Sequence, residues 1–376
     1  MKRFIVFICL TVSFCGGSAQ TQLNSNEKLA SLCKIWGFLK YYHPEVAKGK
    51  FNWDQQLMDH MNQLDSLENK EDLSNFYLNW INDLGDVKKC NKCGRMPKDN
   101  FTKNLDFQWI NDSDLFTGQL IQKLNYIKEN RNQGTNYYVS SAKGGSNTIY
   151  MNENAYKDSI YPSMNMRLLS LFRYWNIINY FFPYKYKTDE NWNNVLTEMI
   201  PVFENAKDTI AYNLAMMQVA AKTDDSHAVF PGKYLRDFFG KSFPFFMKII
   251  NDSAVITQIY NDSLAKIDDI HYGDVITKIG NKSISQIVKE VWKYVPASNK
   301  AVKYRNISTM SLFFVGQPNP VEVTYIRNGI EKKKLIHRYS YRTFDFKPET
   351  EETSKLLQDN IGYINLGNLL LVMYEV

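Results

Sequence analysis

The sequence lacks the short motifs that mark self-sufficient catalytic and nucleotide-binding sites. It contains no G-x-S-x-G, no H-E-x-x-H, no phosphate-binding loop and no dinucleotide-binding fingerprint. Its five histidines lie far apart in the chain and C-x-x-C occurs only once, so no set of residues has the spacing of a zinc site. We therefore expect neither a bound metal nor a cofactor.

Clustered charge is also missing. The chain carries 45 Lys and Arg residues against 39 Asp and Glu residues, a net charge of +6, and its longest basic run is the three lysines at 332–334. Proteins that bind nucleic acid carry basic residues clustered on one face, so we expect no nucleic-acid partner. A hydrophobic content of 44% is typical of globular proteins, and 376 residues suffice for two or three domains.

The first nineteen residues have the pattern of a secretory signal peptide. Basic Lys2 and Arg3 precede an apolar stretch over 4–14 and a small-residue cleavage site at 17–19. This stretch is too short to span a bilayer, which takes about 20 residues. We expect export to the periplasm or cell envelope and no transmembrane segment in the mature chain. A lipid anchor at Cys15 is disfavoured, because bulky Phe14 stands where that processing needs a small residue.

Three cysteines remain after the signal peptide. Cys90 and Cys93 form a C-x-x-C that, in an oxidising compartment, can close a local disulfide or supply half of a zinc site. The second half of such a site is missing, which favours the disulfide. Cys33 lies on the apolar face of a predicted helix, so we expect it to be a buried thiol.

The first half of the chain contains an internal repeat. Residues 32–61 align without gaps onto residues 171–200. The identical pairs are Leu32/Leu171, Trp36/Trp175, Tyr41/Tyr180, Pro44/Pro183, Lys48/Lys187, Asn52/Asn191, Trp53/Trp192 and Leu57/Leu196. Apolar residues recur at helical spacing in both copies, which predicts core packing and not a ligand site.

The repeat predicts two related helical modules, at 20–100 and at 166–238. In each, the first helix should end before the shared proline, because a residue that precedes proline is pushed out of the α region. The second helix should begin at the second shared tryptophan, with the preceding asparagine as its N-cap. Between the modules, residues 101–165 form a predicted linker segment with one helix over Asp114–Asn130.

Residues 240–340 change to the periodicity of strands. Apolar and polar residues alternate, and Asn328-Gly329 is the strongest short signal for a hairpin. The segments 243–246, 263–266, 271–276 and 279–284 resemble, in order and spacing, those of a PDZ domain. Such domains bind a peptide C-terminus as an added strand, which implies a peptide-binding edge at Phe243, Phe245, Phe246 and Met247. A β-domain used only for packing is the alternative.

The order of these segments resembles the tail-specific, or C-terminal-processing, serine peptidase family, above all its tricorn-like branch from Bacteroidetes-type bacteria. The matching features are a signal peptide, helical modules, the stretch Asp224–Ala228, a PDZ-like domain and then Asn360–Leu366. The resemblance implies that His227 is the general base of a serine nucleophile. It also implies that residues 341–376 begin an α/β, crotonase-like catalytic core. The nucleophile, oxyanion hole and acidic partner would follow many tens of residues later, so we expect a truncated member.

The sequence thus predicts a multidomain α+β protein with two functional hypotheses. The first is an exported serine endopeptidase that binds and cleaves polypeptides, here an inactive fragment without the catalytic serine. The second is a non-catalytic, PDZ-type peptide-binding protein of the cell envelope.

Overall fold

The computed structural model describes residues 23–91, 93, 104–144, 147–156, 160–228, 230, 235, 241–309, 316, 319–344 and 354–364. The predicted signal peptide lies outside these residues. The chain divides into two compact units, residues 1–205 and residues 206–376. The first is mainly helical and the second combines helices with an antiparallel sheet, so the expectation of a mixed α+β protein is confirmed.

Unit 1 is built from seven described helices and one short hairpin. The helices are α1 (Ser25–Tyr42), α2 (Pro44–Ala47), α3 (Trp53–Met61), α4 (Lys70–Asp83), α5 (Gly118–Glu129), α6 (Met164–Phe181) and α7 (Trp192–Glu204). The hairpin pairs β1 (Val139–Ser141) with β2 (Thr148–Tyr150), and 3₁₀ turns lie at Leu64–Ser66, Gln108–Asn111 and Lys185–Lys187. Helix α5 begins later than predicted, because the Asp112 side chain accepts from the backbone N–H groups of Asp114 and Leu115 and holds them in a turn.

Both modules have the local structure that the repeat predicts. Helices α1 and α6 end ahead of their prolines, and α3 and α7 begin at the shared tryptophans. The N-cap side chain of Asn52 accepts from the backbone N–H of Gln55 at 3.2 Å. Its counterpart Asn191 accepts from the backbone N–H of Asn193 at 2.9 Å. These caps satisfy N–H groups that have no partner within the helix.

A pair of tryptophans joins the two helices of each module. The indole Nε1 of Trp36 donates to the backbone oxygen of Trp53 at 2.9 Å, and Trp53 donates back to the backbone oxygen of Trp36 at 3.1 Å. Trp175 and Trp192 repeat this exchange at 2.7 and 3.0 Å. All four side chains are buried. We call each pair a tryptophan clasp, and it satisfies two buried donors at once.

The two modules pack on each other around an approximate two-fold axis. Helix α1 contacts α7, and the equivalent pair α6 and α3 is also in contact. The equivalent residues Tyr41 and Tyr180 meet edge to face, with ring centroids 5.2 Å apart. On the same axis, Gly37 of α1 faces its own equivalent, Asn176 of α6, and a Cβ atom at Gly37 would overlap the Asn176 amide. The fully buried Asn176 donates across the axis to the backbone oxygen of Cys33 at 3.1 Å.

Unit 2 contains a six-stranded antiparallel sheet with helices around it. Its helices are α8 (Thr209–Ala221), α9 (Asp262–Ile267), α10 (Ile284–Val291) and α11 (Lys300–Thr309), and 3₁₀ turns lie at Trp292–Tyr294, Tyr341–Thr343 and Gln358–Asn360. Its strands are β3 (Phe245–Ile250), β4 (Ser253–Ile259), β5 (Val275–Ile279), β6 (Lys282–Ser283), β7 (Val321–Arg327) and β8 (Ile330–Ile336), in the order β3-β4-β5-β7-β8 with β6 beside β5. Helix α8, which the repeat analysis placed in the second helical module, belongs to this unit.

The ends of the β-domain lie side by side. Ser242, just before β3, and Tyr339, just after β8, exchange two backbone hydrogen bonds of 2.9 and 2.7 Å. The predicted hairpin turn is present between β7 and β8, where Asn328 and Gly329 both have positive φ angles. The strand expected near residue 362 is β10 (Gly362–Ile364), which pairs with β9 (Ser354–Leu356).

The contact at Gly37 gives the first prediction. We expect Gly37→Ala to lower the free energy of unfolding by about 2 kcal/mol, although alanine is the better helix former, because overpacking outweighs the gain in helix propensity. Exchanging the two residues, Gly37→Asn with Asn176→Gly, should restore most of the loss, since the amide then crosses the same axis from the other helix. Urea unfolding of the three chains measures this. Wild-type stability of Gly37→Ala would contradict the packing.

The second prediction concerns His43, which is fully buried between α1 and α2. Burial lowers the pKa of His43 to about 4, against the opposing effects of the Glu45 carboxylate and a backbone contact with Gly85. Between pH 6.5 and pH 4 the unfolded chain therefore binds this proton and the folded protein does not. The free energy of unfolding should fall by about 3 kcal/mol as the pH falls through this window. His43→Leu should flatten the pH dependence in urea titrations. The same dependence of the unfolding free energy on pH in the wild type and in His43→Leu would contradict this prediction.

Candidate peptide-binding edge

Strand β3 is an edge strand of the sheet in unit 2. A two-residue turn at Asn251 and Asp252, both with positive φ, connects it to β4. In such a hairpin the residues that flank the turn exchange hydrogen bonds, and the next residue along each strand directs its backbone groups to the opposite side. The backbone N–H and C=O of Ile249 therefore face away from β4. By the same alternation, those of Met247 face away from β4 too.

Helix α11 lies along this edge of β3. The buried hydroxyl of Ser308 accepts from the backbone N–H of Ile249 at 3.0 Å and donates to the backbone oxygen of Tyr304 at 3.0 Å. The backbone N–H of Ile249, to which an added strand would bind, is thus already hydrogen-bonded to a side chain of helix α11. Sequence reasoning missed Ser308, because nothing local distinguishes it from any other serine on a helix.

The predicted peptide-binding residues divide into two groups. Phe243, Phe245 and Met247 belong to the buried core of the β-domain, and the rings of Phe243 and Phe245 stack with centroids 5.0 Å apart. Phe246 is half-buried on the other face of β3. Their side chains therefore do not form one exposed lining, and the edge itself presents backbone groups.

A buried cation lies behind Phe243. The guanidinium of Arg338 lies 4.8 Å from the centroid of the Phe243 ring and donates to the backbone oxygen of Gly316 at 2.9 Å. Burial lowers the pKa of Arg338 to about 10. This arginine follows β8, almost 100 residues after Phe243, so the sequence alone gave no reason to connect the two.

The loop that carries His227 is fixed by its neighbours. The Ser226 hydroxyl lies 3.0 Å from the Ser298 hydroxyl and accepts from the backbone N–H of Ser298 at 3.1 Å. The imidazole of His227 is 96% exposed, and its Nδ1 lies 3.2 Å from Asp225 Oδ1. Within the described residues, the structure places no serine hydroxyl in hydrogen-bond contact with this ring. His227 is therefore oriented by a carboxylate but has no nucleophile beside it here.

The three cysteines of the predicted mature chain lie in unit 1. Cys90 and Cys93 are bonded to each other, with Cα atoms 5.4 Å apart. Cys33 is a buried free thiol whose pKa is raised well above its usual value by burial. Across the part of the chain that the structure describes, no group of three His, Cys, Asp or Glu residues is arranged to hold a metal ion. None of the described helices combines the length and apolarity that a membrane crossing requires.

Among known proteins, the chain has a weak structural likeness to a solved structure. No model of a protein family matches the chain, and no curated protein matches it. Among solved structures it is similar to mature CPAF complexed with lactacystin, with 11% sequence identity and a TM-score of 0.36. The match covers 47% of this chain and 34% of that one, so it spans about a third of CPAF. A likeness this distant carries no argument about activity.

The surroundings of His227 give the third prediction. A general base contributes to acyl transfer only when a nucleophile lies within hydrogen-bond reach, so we expect no peptidase turnover by the 376-residue chain. Casein and a fluorogenic peptide should remain intact over hours with purified protein. His227→Ala is the matched control for contaminating protease. Turnover by the wild type that His227→Ala abolishes would contradict the prediction.

Proposed function

We propose that this chain belongs to an exported serine endopeptidase of the tail-specific family, and that its PDZ-like β-domain captures the C-terminal segments of polypeptides. The observation that carries the proposal is the geometry of β3. It is an edge strand with backbone groups directed away from the sheet and a helix lying beside it. Such an edge lets a peptide add as a further strand, with main-chain hydrogen bonds giving affinity.

The site for the peptide carboxylate is the segment that leads into β3. Phe243 and Pro244 precede the strand, where a PDZ domain receives the carboxylate on backbone N–H groups. The guanidinium of Arg338 behind Phe243 adds positive charge on this side. A buried cation strengthens the binding of an anion, because the low local dielectric screens it less than water does.

His227 takes the role of general base in this proposal, in concert with a serine from a catalytic core. Support comes from the order of the segments in the sequence and from the carboxylate of Asp225 beside the imidazole. The second hypothesis, a peptide-binding protein of the cell envelope without catalysis, shares the same β3 edge. The two differ in whether peptides captured at this edge are cleaved.

The fourth prediction tests the capture of C-termini. In calorimetric titrations of the purified chain, peptides with an apolar last residue and a free carboxylate should bind at least tenfold more tightly than their C-terminal amides. Loss of one charge-assisted hydrogen bond costs about 1.5–3 kcal/mol, which supports a ratio of this size. Equal binding of acids and amides would show that no carboxylate is received next to Phe243.

A variant at Ser308 localises the binding to β3. Ser308→Ala leaves the N–H of Ile249 without its intramolecular acceptor, so an added strand no longer has to displace the Ser308 hydroxyl to bind this N–H. We expect peptide affinity to rise about two- to tenfold, the value of one neutral hydrogen bond. Thr309→Ala, an exposed neighbour that bonds only within its own helix, is the matched control. An unchanged peptide affinity in Ser308→Ala would mean that peptides do not pair with β3 as far as Ile249.

A further inference from the structure

Each helical module of unit 1 has a cleft beside its tryptophan clasp. The cleft lies between the last turn of the first helix, the connection after the shared proline and the first turn of the second helix. In the first module it contains Lys40, whose side chain is 1% exposed and whose Nζ forms an ion pair with Glu153. The same Nζ lies 4.7 Å from the Trp36 ring centroid and 4.6 Å from that of Tyr138. A buried ammonium thus has a carboxylate and two aromatic faces around it.

The chain itself fills this first cleft, with the segment around the β1–β2 hairpin. The hydroxyl of Tyr156 donates to Asp54 Oδ2 at 2.9 Å. The ring of Tyr137 covers Gly49, where a Cβ atom would overlap it, and the Tyr137 N–H donates to the backbone oxygen of Ala47 at 2.7 Å. Tyrosine side chains therefore occupy the space between the connection and the start of α3.

In the part of the chain that the structure describes, the equivalent cleft of the second module is open. A pocket of about 210 Å³ lies there, and its lining includes Asp106, Asn179, Lys185, Thr188, Trp192 and Asn193. Three of these residues are repeat equivalents of residues in the first cleft. Asn179 corresponds to Lys40, Trp192 to Trp53, and Asn193 to Asp54. The pocket is smaller than the 300–1,000 Å³ that is common for drug-sized ligands, and its volume suits a single side chain.

The open cleft also contains a buried ammonium, from a different position in the sequence. Lys185 Nζ donates to the Asn179 side-chain oxygen at 2.6 Å and to the Asn179 backbone oxygen at 3.0 Å. Asn179 is the repeat equivalent of Lys40, so each cleft contains a lysine ammonium, which Lys185 supplies in the second module. An ammonium has three N–H donors, and the described residues supply acceptors for two of them. Burial lowers the pKa of Lys185 to about 8, with the Asp106 carboxylate opposing the shift.

The charge in the two clefts is balanced differently. In the first cleft the occupying segment supplies the carboxylate of Glu153, which pairs with both Lys40 and Arg173. In the second cleft the lining itself supplies carboxylates: Asp106 accepts from Asn193 Nδ2 at 2.8 Å beside Lys185, and the exposed Glu190 also lines the pocket. An anionic ligand would lie near these carboxylates and a cationic ligand near the Lys185 ammonium, and either is costly in a partly buried site. The chemistry of this pocket therefore favours a neutral ligand that can both donate and accept a hydrogen bond.

We propose that the pocket beside Trp192 binds a tyrosine side chain of another polypeptide. The phenol ring packs beside Trp192, and its hydroxyl accepts from Lys185 Nζ and donates to the Asp106 or Asn193 side-chain oxygen. Tyr156 and Asp54 show the same hydroxyl-to-oxygen contact in the first cleft. This site lies in unit 1 and is independent of the β3 edge in unit 2.

The test uses the full chain and p-cresol, the tyrosine side chain itself. Toluene lacks the hydroxyl, and 4-methylanisole keeps the oxygen but cannot donate. Binding is followed by ¹⁵N NMR of indole groups, since the chain has seven tryptophans and Trp192→Phe assigns one signal. We expect p-cresol to shift the Trp192 signal with a millimolar or lower dissociation constant, toluene to bind at least tenfold more weakly and 4-methylanisole at least fivefold. Equal binding of the three, or no shift at Trp192, would overturn the proposal.

Two variants connect the affinity with the polar groups of the pocket. Lys185→Met and Asn193→Ala should each weaken p-cresol binding at least fivefold. Lys187→Met removes a nearby exposed lysine and should leave the affinity unchanged. Wild-type affinity in Lys185→Met would overturn the proposal. Should neither pocket variant fold, the discrimination among the three ligands and the Trp192 signal of the wild type decide it.

Discussion

The tryptophan clasp is the interaction on which the rest of unit 1 depends. An indole N–H that is buried without an acceptor costs about twice what an ordinary hydrogen bond contributes, so a carbonyl within reach of each clasp tryptophan is strongly favoured. The reciprocal pairing of Trp36 with Trp53 meets this requirement only at one distance and one rotation of the two helices. It therefore sets the width of the cleft beside it. The second clasp does the same for Trp175 and Trp192, which is why two modules with few identical residues have clefts in equivalent places.

A repeat that packs on its own copy is subject to a further constraint at the symmetry axis. A residue on the axis meets its own equivalent, so where the two helices approach closely two large side chains would overlap and two glycines would leave a gap. Gly37 and Asn176 solve this by being different. Tyr41 and Tyr180 also meet across this axis, but edge to face with centroids 5.2 Å apart, and there identical residues are compatible. The identity of the repeats is therefore lost where the two helices approach too closely for a pair of like side chains, as at Gly37 and Asn176.

The local part of this structure could be predicted from the sequence. Helix ends before Pro44 and Pro183 and caps at Asn52 and Asn191 follow from interactions within a few residues. The Asn328-Gly329 hairpin is equally local. The polar contacts of the clefts were not predictable, because Lys40 and Glu153, or Asp106 and Asn193, are far apart in the sequence. The linker segment 101–165, in which the sequence indicated no chemistry, supplies Glu153, Tyr156 and Asp106 to these clefts.

The same limit applies to the β-domain. Alternation placed Phe243, Phe245 and Met247 together on one face of a strand, which the structure shows to be the core face. Period-two patterns report which side chains share a face but not whether that face lines an accessible groove or the interior. The fold alone brings Ser308 to β3 and Arg338 to Phe243. No spacing in the sequence predicts these contacts.

The bridge between Ser242 and Tyr339 has a consequence for how this protein could have been assembled. A domain whose first and last residues are hydrogen-bonded neighbours enters and leaves its host at one point, so its removal or insertion opens no gap in the flanking chain. Such a module can be transplanted between hosts, exchanged for a homologue of different specificity, or joined end to end and reopened elsewhere. The β-domain of this chain has the geometry of a cassette, and its sequence can change without rebuilding the protein around it.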